Sequence, residues 1–166
     1  QFTLHTPANS GIGSDTVRDV AVDSAGAVWF ATDDGVSVLS GETWTVYTDE
    51  NSALPSNTVT HVATDGLGNT WFTGQDDAHE RDWLSVRYAD DTWHVYPITD
   101  TWVTALDVGP DGGVWVGTGT GLRVLSGTTW VTYTVSTSNI GGNDVRDLDV
   151  DSGGKVWVAT QATWER

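Results

Sequence analysis

Short runs of alternating apolar and polar residues fill this chain, and turn-forming residues separate them. The first four runs are VRDVAVD from Val17, AVWFAT from Ala27, GVSVLS from Gly35 and TWTVYT from Thr43. They are rich in Val, Thr and aromatic residues and are bounded by Gly, Asp, Ser and Asn, which is the pattern of β-strands. No segment shows sustained helical periodicity. The pattern predicts an all-β protein built from short antiparallel strands.

The set of four runs recurs along the chain. Its most regular mark is a tryptophan in the second run, at spacings of 42, 44 and 42 residues: Trp29, Trp71, Trp115 and Trp157. A seven-residue insertion between Gly74 and Trp83, partly offset by a linker that is five residues shorter, explains the longer spacing. A repeat of about 40 residues with four antiparallel strands predicts a four-bladed β-propeller.

The repeats divide a single domain of residues 1–166 into four blades. In three repeats the first strand is followed by D-x-x-G, in which the Asp side chain and a Gly with positive φ are expected to close a tight turn. The blades are expected at about 15–48, about 57–97, about 101–134, and about 143–166 together with residues 1–6.

The two ends of the chain are complementary in sequence. Residues 2–17 align without gaps to residues 44–59, so the chain begins with a segment that matches the fourth strand of a blade, whereas the fourth repeat stops part-way into its third strand. We expect the N-terminal strand to close the last blade. Donation of this strand by a neighbouring chain, or a longer parent protein with more repeats, are the alternatives. The closure residues are Phe2, Leu4 and Trp164.

Composition and charge narrow the classes of partner. The chain has 23 acidic residues against seven basic ones, for a formal net charge of −16, which disfavours nucleic acid and anionic lipid. No apolar run approaches the ~20 residues of a membrane span, so membrane insertion is not expected. Cysteine is absent, which excludes disulfides and thiolate metal sites.

The first strand of each blade suggests an ion site. In a propeller the innermost strands surround the central channel, and the third residue of this strand places Asp19, His61 and Asp147 near the axis. Ca²⁺ takes oxygen ligands from several carboxylates, so a channel ion at these residues is one hypothesis, and no other cofactor is expected. The alternative is that Arg18 and Arg146 pair with Asp19 and Asp147 across blades.

Candidate binding residues come from two other features. The insertion of the second blade is rich in acidic residues, and loops that depart from a rigid scaffold often carry function. The tryptophans of the outer strands are expected to be partly exposed, whereas the strand-two tryptophans are expected to pack between blades. A solvated loop and structural packing are the alternatives. The candidates are Asp76, Asp77, His79, Glu80, Trp44, Trp93 and Trp130.

The repeat V-x-x-[VL]-x-[VT]-D-x-x-G-x-x-W-F-x-T, followed by W-x-x-Y-T and N-S-x-L-P-S-N-T-V, resembles the two-component regulator propeller repeat. The resemblance covers nearly the whole chain and is most specific from Leu54 to Trp71. It implies a periplasmic or extracellular propeller, often the sensor part of a hybrid two-component system. The D-x-x-G-x-x-W-F-T core is also similar to streptogramin lyase-like propellers, but no catalytic His/Glu set can be carried over.

These patterns favour a non-enzymatic binding or scaffold module that is extracellular or periplasmic. Its partner is expected to be a protein, a glycan or a copy of itself. One alternative is a self-assembling structural subunit of an extracellular fibre or oligomer, joined through the complementary terminal strands. Another is a sensor-domain fragment of a two-component regulator.

Overall fold

The computed structural model describes residues 2–76, 78, 82–98 and 101–161. Strands, turns and bends make up these residues, and no α-helix occurs among them. The predicted all-β class is confirmed. Within the same ranges, no helix is long and apolar enough to cross a membrane.

The strands follow the predicted runs closely, because the alternation and the turn residues that define them are local signals. In sheet 1 the strands are β1 (Val17–Val22), β2 (Val28–Thr32), β3 (Gly35–Ser40) and β4 (Thr43–Tyr47). In sheet 2 they are β5 (Val59–Thr64), β6 (Thr70–Gln75), β7 (Asp82–Arg87) and β8 (Trp93–Ile98). In sheet 3 they are β9 (Val103–Val108), β10 (Val114–Thr118), β11 (Gly121–Ser126) and β12 (Thr129–Tyr133). In sheet 4 they are β13 (Asp144–Val150) and β14 (Val156–Gln161).

Sheets 1, 2 and 3 are four-stranded antiparallel meanders in which consecutive strands pair in chain order. Sheet 4 has two strands within the described residues. The chain divides into two compact units, Gln1–Ile98 with sheets 1 and 2, and Thr99–Arg166 with sheets 3 and 4. Four successive antiparallel sheets of this kind fit a propeller-like fold.

The N-terminal segment, residues 2–6, forms no strand in this structure, unlike the expectation from its alignment with β4. Phe2 and Leu4 are exposed. A strand forms only when a neighbouring strand supplies ladder hydrogen bonds. The neighbour predicted for residues 2–6 includes Trp164, which lies outside the described residues. Closure of the last blade therefore stays a prediction.

The linker after the N-terminal segment nevertheless folds like the linker after β4. The Thr6 N–H donates to Asn9 Oδ1 at 2.7 Å, and the Thr48 N–H donates to Asn51 Oδ1 at 2.8 Å. The linker after β12 uses Thr137 in the same place. The structure thus supports the alignment that equates the start of the chain with the exit from a fourth strand.

The insertion of the second repeat lengthens a hairpin. β6 continues to Gln75, which pairs with Asp82 at the start of β7. Trp83 is buried on this hairpin, and its ring lies over Gly74, where a Cβ atom would overlap the indole. The tight approach explains why glycine occupies this strand position.

Candidate interaction faces

Aromatic side chains fill the space between sheets 1 and 2. Trp29 stacks on Tyr47 with ring centroids 6.2 Å apart, and it lies 5.9 Å from Phe72 of sheet 2. Phe72 in turn stacks on Trp93 at 5.8 Å. The guanidinium of Arg87 lies 5.5 Å from the Trp29 ring, within cation–π range. This contact joins the two sheets of the first unit.

The same tryptophan–tyrosine stack recurs in sheets 2 and 3. Trp71 stacks on Tyr96 at 6.2 Å, and Trp115 stacks on Tyr133 at 5.9 Å. In the second unit the Trp115 pair packs with Val158 of sheet 4 in one hydrophobic cluster. We call the face of a sheet that carries this tryptophan its exit face, because it packs on the next sheet in both units. The opposite face is the entry face.

Carboxylates on the first strand also join consecutive sheets. Asp19 accepts the N–H of Val20 on Oδ1 at 2.8 Å and the N–H of Val62, in sheet 2, on Oδ2 at 2.9 Å. Asp107 of sheet 3 accepts the N–H of Val150, in sheet 4, on Oδ2 at 2.7 Å. These charge-assisted bonds satisfy N–H groups of β5 and β13, each of which is the edge strand of its sheet within the described residues.

The surroundings of Asp107 change its titration. Burial raises the pKa of this carboxyl, and the hydrogen bonds from the N–H groups of Val150 and Val108 oppose the rise. The nearby negative charge of Asp149 adds to it, so the pKa of Asp107 lies above its ordinary value.

The exit face of sheet 4 is open. Trp157 is 54% exposed, whereas Trp29 at the same repeat position is 4% exposed. The expectation that all four strand-two tryptophans are buried between blades is therefore wrong for Trp157. An open depression of about 300 Å³ surrounds it. Its lining residues are Asp147, Leu148, Asp149, Trp157, Val158 and Ala159.

Two neighbours orient the exposed Trp157 ring. Its indole N–H donates to Asp151 Oδ2 at 3.2 Å, and Lys155 Nζ lies 3.9 Å from the ring centroid. The backbone N–H of Lys155 and the Trp157 indole hold the pKa of Asp151 below its ordinary value. The ring is thus pre-positioned at the surface rather than left to rotate freely.

The candidate channel residues have other partners. Both carboxylate oxygens of Asp19 accept backbone N–H groups, and His61 Nδ1 lies 2.9 Å from Thr73 Oγ1. Asp147 Oδ1 accepts the N–H of Leu148 at 3.0 Å. Among the described residues, no three His, Asp or Glu side chains are grouped so that they could hold a metal ion. A channel Ca²⁺ stays a prediction.

The alternative pairing of the two arginines is wrong. Arg18 pairs with Asp33 rather than with a first-strand carboxylate, and Arg146 pairs with Asp144 at 2.6 Å. The physical reason is visible at Asp19, whose oxygens are already occupied by backbone N–H groups of its own strand and of the next sheet.

The remaining candidates divide between packing and the insertion. Trp44, Trp93 and Trp130 are half-buried, and Trp44 and Trp93 stack on phenylalanines of their own sheets. Asp76 is half-buried at the end of the β6 hairpin. Their roles in binding stay predictions. The insertion candidates outside the described residues are Asp77, His79 and Glu80.

Sequence reasoning did not single out the exit face of sheet 4 as a surface. The repeat alignment equates Trp157 with Trp29, and it carries no information on which copy is covered. The available signal was the pair of carboxylates Asp147 and Asp149, which combines in one strand the positions that Asp19 and Asp107 occupy separately.

Comparison with known proteins shows the fold. No family model and no curated protein sequence matches the chain. The extracellular domain of a protein from B. thetaiotaomicron, described as a hybrid two-component system, matches 95% of the chain with a TM-score of 0.72 and 20% identity. The chain spans 22% of that protein's chain.

A lyase and a protein described as a gluconolactonase also have similar structures. Virginiamycin B lyase from Staphylococcus aureus matches 88% of the chain with a TM-score of 0.66 and 16% identity, and the chain covers 50% of it. A protein described as a gluconolactonase matches 85% with a TM-score of 0.61 and 17% identity, and the chain covers 56% of it. At these identities the likeness is one of fold, and the chain has a propeller-like fold that occurs in an extracellular domain of a two-component system and in a lyase.

Proposed function

We propose that this chain is a non-enzymatic interaction module of the kind found in extracellular sensor domains, and that it binds a protein partner through the exit face of sheet 4. The observation that carries the proposal is the exposure of Trp157, whose counterparts Trp29 and Trp115 pack between sheets. The structural match to an extracellular domain of a two-component system supports the sensor context. An extracellular or periplasmic location accords with that context.

The chemistry of the face selects a class of partner. Trp157 and Ala159 offer an apolar surface, and Asp147 and Asp149 offer hydrogen-bond acceptors beside it. Tryptophan is a frequent anchor of protein interfaces, because it combines a large apolar area with a defined geometry. The matching partner presents an aromatic or branched aliphatic side chain together with backbone N–H donors, as the edge of a β-sheet does.

A titration with peptides tests this function. Short Val- and Trp-rich strand peptides are added to the chain, and binding is followed by a labelled peptide's fluorescence anisotropy. We expect saturable binding to the wild-type chain that Trp157→Ala reduces at least tenfold, while Leu67→Ala, at an exposed turn, leaves it unchanged. Binding that survives Trp157→Ala overturns the assignment of this face.

An activity assay tests the non-enzymatic part of the proposal. The chain is incubated with quinupristin, the compound present in a structure of virginiamycin B lyase from Staphylococcus aureus, and with gluconolactone, and products are followed by mass spectrometry. We expect no turnover above the buffer control. Turnover of either compound overturns the proposed function.

A further inference from the structure

The last strands of sheets 1, 2 and 3 are edge strands of four-stranded sheets: β4, β8 and β12. An edge strand offers N–H and C=O groups to any extended segment, so native proteins cover such an edge, charge it or place proline in it. β8 contains Pro97, which has no N–H to donate to a further strand. The other two edges differ in how they are covered.

The linker of sheet 1 covers the edge of β4. Asn51 Nδ2 donates to the carbonyl of Val46 at 3.0 Å, while Asn51 Oδ1 accepts the N–H of Thr48. Every second residue of an edge strand points its N–H and C=O away from the neighbouring strand, and the bond from Asn51 shows that Val46 is such a residue. The acidic residues Glu42 and Asp49 flank β4 in sequence. A further strand is therefore hindered at β4.

Thr132 holds the place of Val46 in β12. Val46 pairs with Ser37 of β3, and Thr132 pairs with Arg123 at the equivalent position of β11. The carbonyl of Thr132 therefore also points away from the neighbouring strand. Thr132 is exposed, and so is its neighbour Val131, at 44%.

The linker after β12 does not cover this carbonyl. Thr137 stands where Asn51 stands after β4, and Thr137 Oγ1 accepts the N–H of Thr134 at 2.9 Å. Because threonine has one polar side-chain atom where asparagine has two, Thr137 replaces the bond to the linker N–H and not the bond to the strand carbonyl. Among the residues that the structure describes, no side chain donates to the carbonyl of Thr132.

Charge is also absent from this part of the chain. No charged residue occurs from Val124 to Asn143, although the whole chain has 23 acidic and seven basic residues. Charged side chains on an edge oppose a further strand, because the new strand would desolvate them. Proline is absent from the same stretch. The edge of β12 thus lacks the protection that β4 and β8 have.

From these observations we propose that the edge of β12 binds an extended segment of a protein partner, which adds a strand to sheet 3. The carbonyl of Thr132 accepts an N–H of the added strand, and the N–H of Thr132 donates to one of its carbonyls. The site uses none of the residues of the exit face of sheet 4. The inference therefore goes beyond the proposed function and does not rest on it.

Charge selects the chemistry of the added segment. The net charge of −16 repels acidic segments, and the stretch from Val124 to Asn143 offers no cation to pair with a carboxylate. A segment that alternates threonine with β-branched apolar residues matches the exposed Val131, because cross-strand pairs of this kind stabilise neighbouring strands. A second copy of this chain is disfavoured as the occupant, since it carries the same negative charge.

A titration with two peptides tests the site. One is a short fluorescent peptide that alternates threonine and valine and ends in lysine, and the other has the same sequence with every backbone nitrogen methylated. Methylation removes the N–H groups that pair with an edge and keeps the side chains. Fluorescence anisotropy is expected to show saturable binding of the first peptide and none of the second. Equal binding of the two overturns the proposal.

Thr137→Asn is the matched blocking variant, because it restores the residue that covers the edge in sheet 1. We expect it to weaken peptide binding about fivefold, the effect of one net hydrogen bond, with an unchanged far-ultraviolet circular dichroism spectrum. The control is Ser136→Asn, which places the same side chain at the exposed neighbouring position and should leave the affinity unchanged. An affinity that Thr137→Asn does not change overturns the proposal.

A second blocking variant acts on the strand itself. Thr132→Pro removes the N–H that faces the added strand, and edge strands tolerate proline at such a position. We expect it to abolish binding of the unmethylated peptide. Peptide that binds a folded Thr132→Pro variant as tightly as the wild type overturns the proposal.

Hydrogen exchange at the Thr132 amide locates the bound peptide. Nuclear magnetic resonance is expected to show fast exchange without peptide and slow exchange at saturation. Slow exchange in the monomer without peptide would mean that the chain itself occupies the edge, which overturns the proposal. Slow exchange together with twice the chain mass of 17.8 kDa in sedimentation assigns the edge to a second copy and also overturns it.

The outcomes separate this inference from the proposed function. A threonine–valine peptide whose affinity falls with Trp157→Ala and not with Thr137→Asn binds the exit face of sheet 4, which overturns this inference alone. The titration with Val- and Trp-rich peptides is repeated in a chain that carries both Thr132→Pro and Thr137→Asn. Binding that survives Trp157→Ala in that chain overturns the exit face and leaves the edge of β12 standing.

Discussion

The indole N–H of Trp29 donates to Oδ2 of Asp23 at 2.9 Å, across the turn that joins β1 to β2. Oδ1 of the same carboxylate accepts the N–H groups of Ala25 and Ala27, each at 2.9 Å. One side chain therefore closes the turn and orients the ring that packs on the next sheet.

Replacement of Asp23 should destabilise the protein through both functions. We expect Asp23→Ala to lower the free energy of unfolding by about 1–3 kcal/mol, because it leaves a buried indole N–H and two turn N–H groups without their acceptor. Urea unfolding followed by tryptophan fluorescence measures the change. The control is Asp111→Ala, since Asp111 accepts the N–H of Gly113 and, within the part of the chain that the structure describes, no indole N–H; its cost should be smaller. Equal costs would contradict the role of the Trp29 bond.

Titration of Asp23 and Asp107 should change stability in opposite directions. Burial raises the pKa of Asp23, but the hydrogen bonds from Trp29 and from turn N–H groups outweigh it, so the pKa lies below 3.8. Its stabilisation is present above the unfolded pKa and is lost as pH falls through the folded pKa. Burial raises the pKa of Asp107 above 3.8. Its protonated form stabilises the protein below the unfolded pKa, and that contribution is lost as pH rises through the folded pKa.

The pH dependence of unfolding for two amide variants checks these signs. Asp23→Asn should remove part of the loss of stability below about pH 4, and Asp107→Asn should remove part of a decline that begins above about pH 4. The free energy of unfolding is measured by urea titration at each pH. If the free energy of unfolding changed with pH in the same way in both variants, one of the two pKa assignments would be incorrect.

Gly35 is required by its position beside β4. Its φ is +91°, and a Cβ atom there would overlap the carbonyl oxygen of Tyr47. We expect Gly35→Ala to lower the free energy of unfolding by more than the penalty of about 1–2 kcal/mol for an alanine with a left-handed backbone, because the backbone of β4 must also move. Gly26 has φ +84° and open space around it, so Gly26→Ala is the matched control and should cost the conformational penalty alone. Thermal and urea unfolding of both variants decide the comparison.

Arg87 should matter through its aromatic neighbours more than through its ion pair. Its guanidinium lies 5.5 Å from the Trp29 ring and 5.8 Å from the Tyr47 ring, and it pairs with Asp91, which is mostly exposed. We expect Arg87→Ala to cost about 1–2 kcal/mol, since the cation is largely desolvated. Asp91 has φ +67°, so Asp91→Asn is the matched variant, because asparagine tolerates this left-handed backbone and removes the charge. It should cost less than about 1 kcal/mol, because exposed ion pairs contribute little. A larger effect of Asp91→Asn than of Arg87→Ala in urea unfolding would reverse this order.

The strands and turns could be predicted from the sequence, because their signals are local. The hydrogen-bond partners of residues at equivalent repeat positions could not be predicted in this way. Asp65 precedes Trp71 in the same D-x-x-G pattern as Asp23, yet Asn69 Nδ2 donates to Asp65 Oδ2 at 2.7 Å and takes the place of the indole. Trp71 Nε1 is buried without a hydrogen-bond partner among the described residues. Competition between two side chains for one oxygen depends on three-dimensional packing.

The exposure of the exit face of sheet 4 also could not be predicted from the sequence. Trp29 and Trp157 lie at the same position of the second strand of their sheets, and each donates its indole N–H to the Asp of the preceding turn, yet they differ in burial. The carboxylates of Asp19 and Asp107 were visible in the sequence, but their use as acceptors for N–H groups of the next sheet was not. That role depends on the register between sheets, which is set by contacts far apart in the chain.

The linker turns carry a further consequence. The first turn of each linker is held by hydrogen bonds within its own segment: Ser10 Oγ donates to the carbonyl of Thr6, Ser52 Oγ to that of Thr48 and Ser138 Oγ to that of Thr134. A turn whose hydrogen bonds come from its own segment can be copied together with its sheet. Gene duplication can therefore lengthen or shorten such an array by whole repeats, and each new junction arrives with its geometry already encoded.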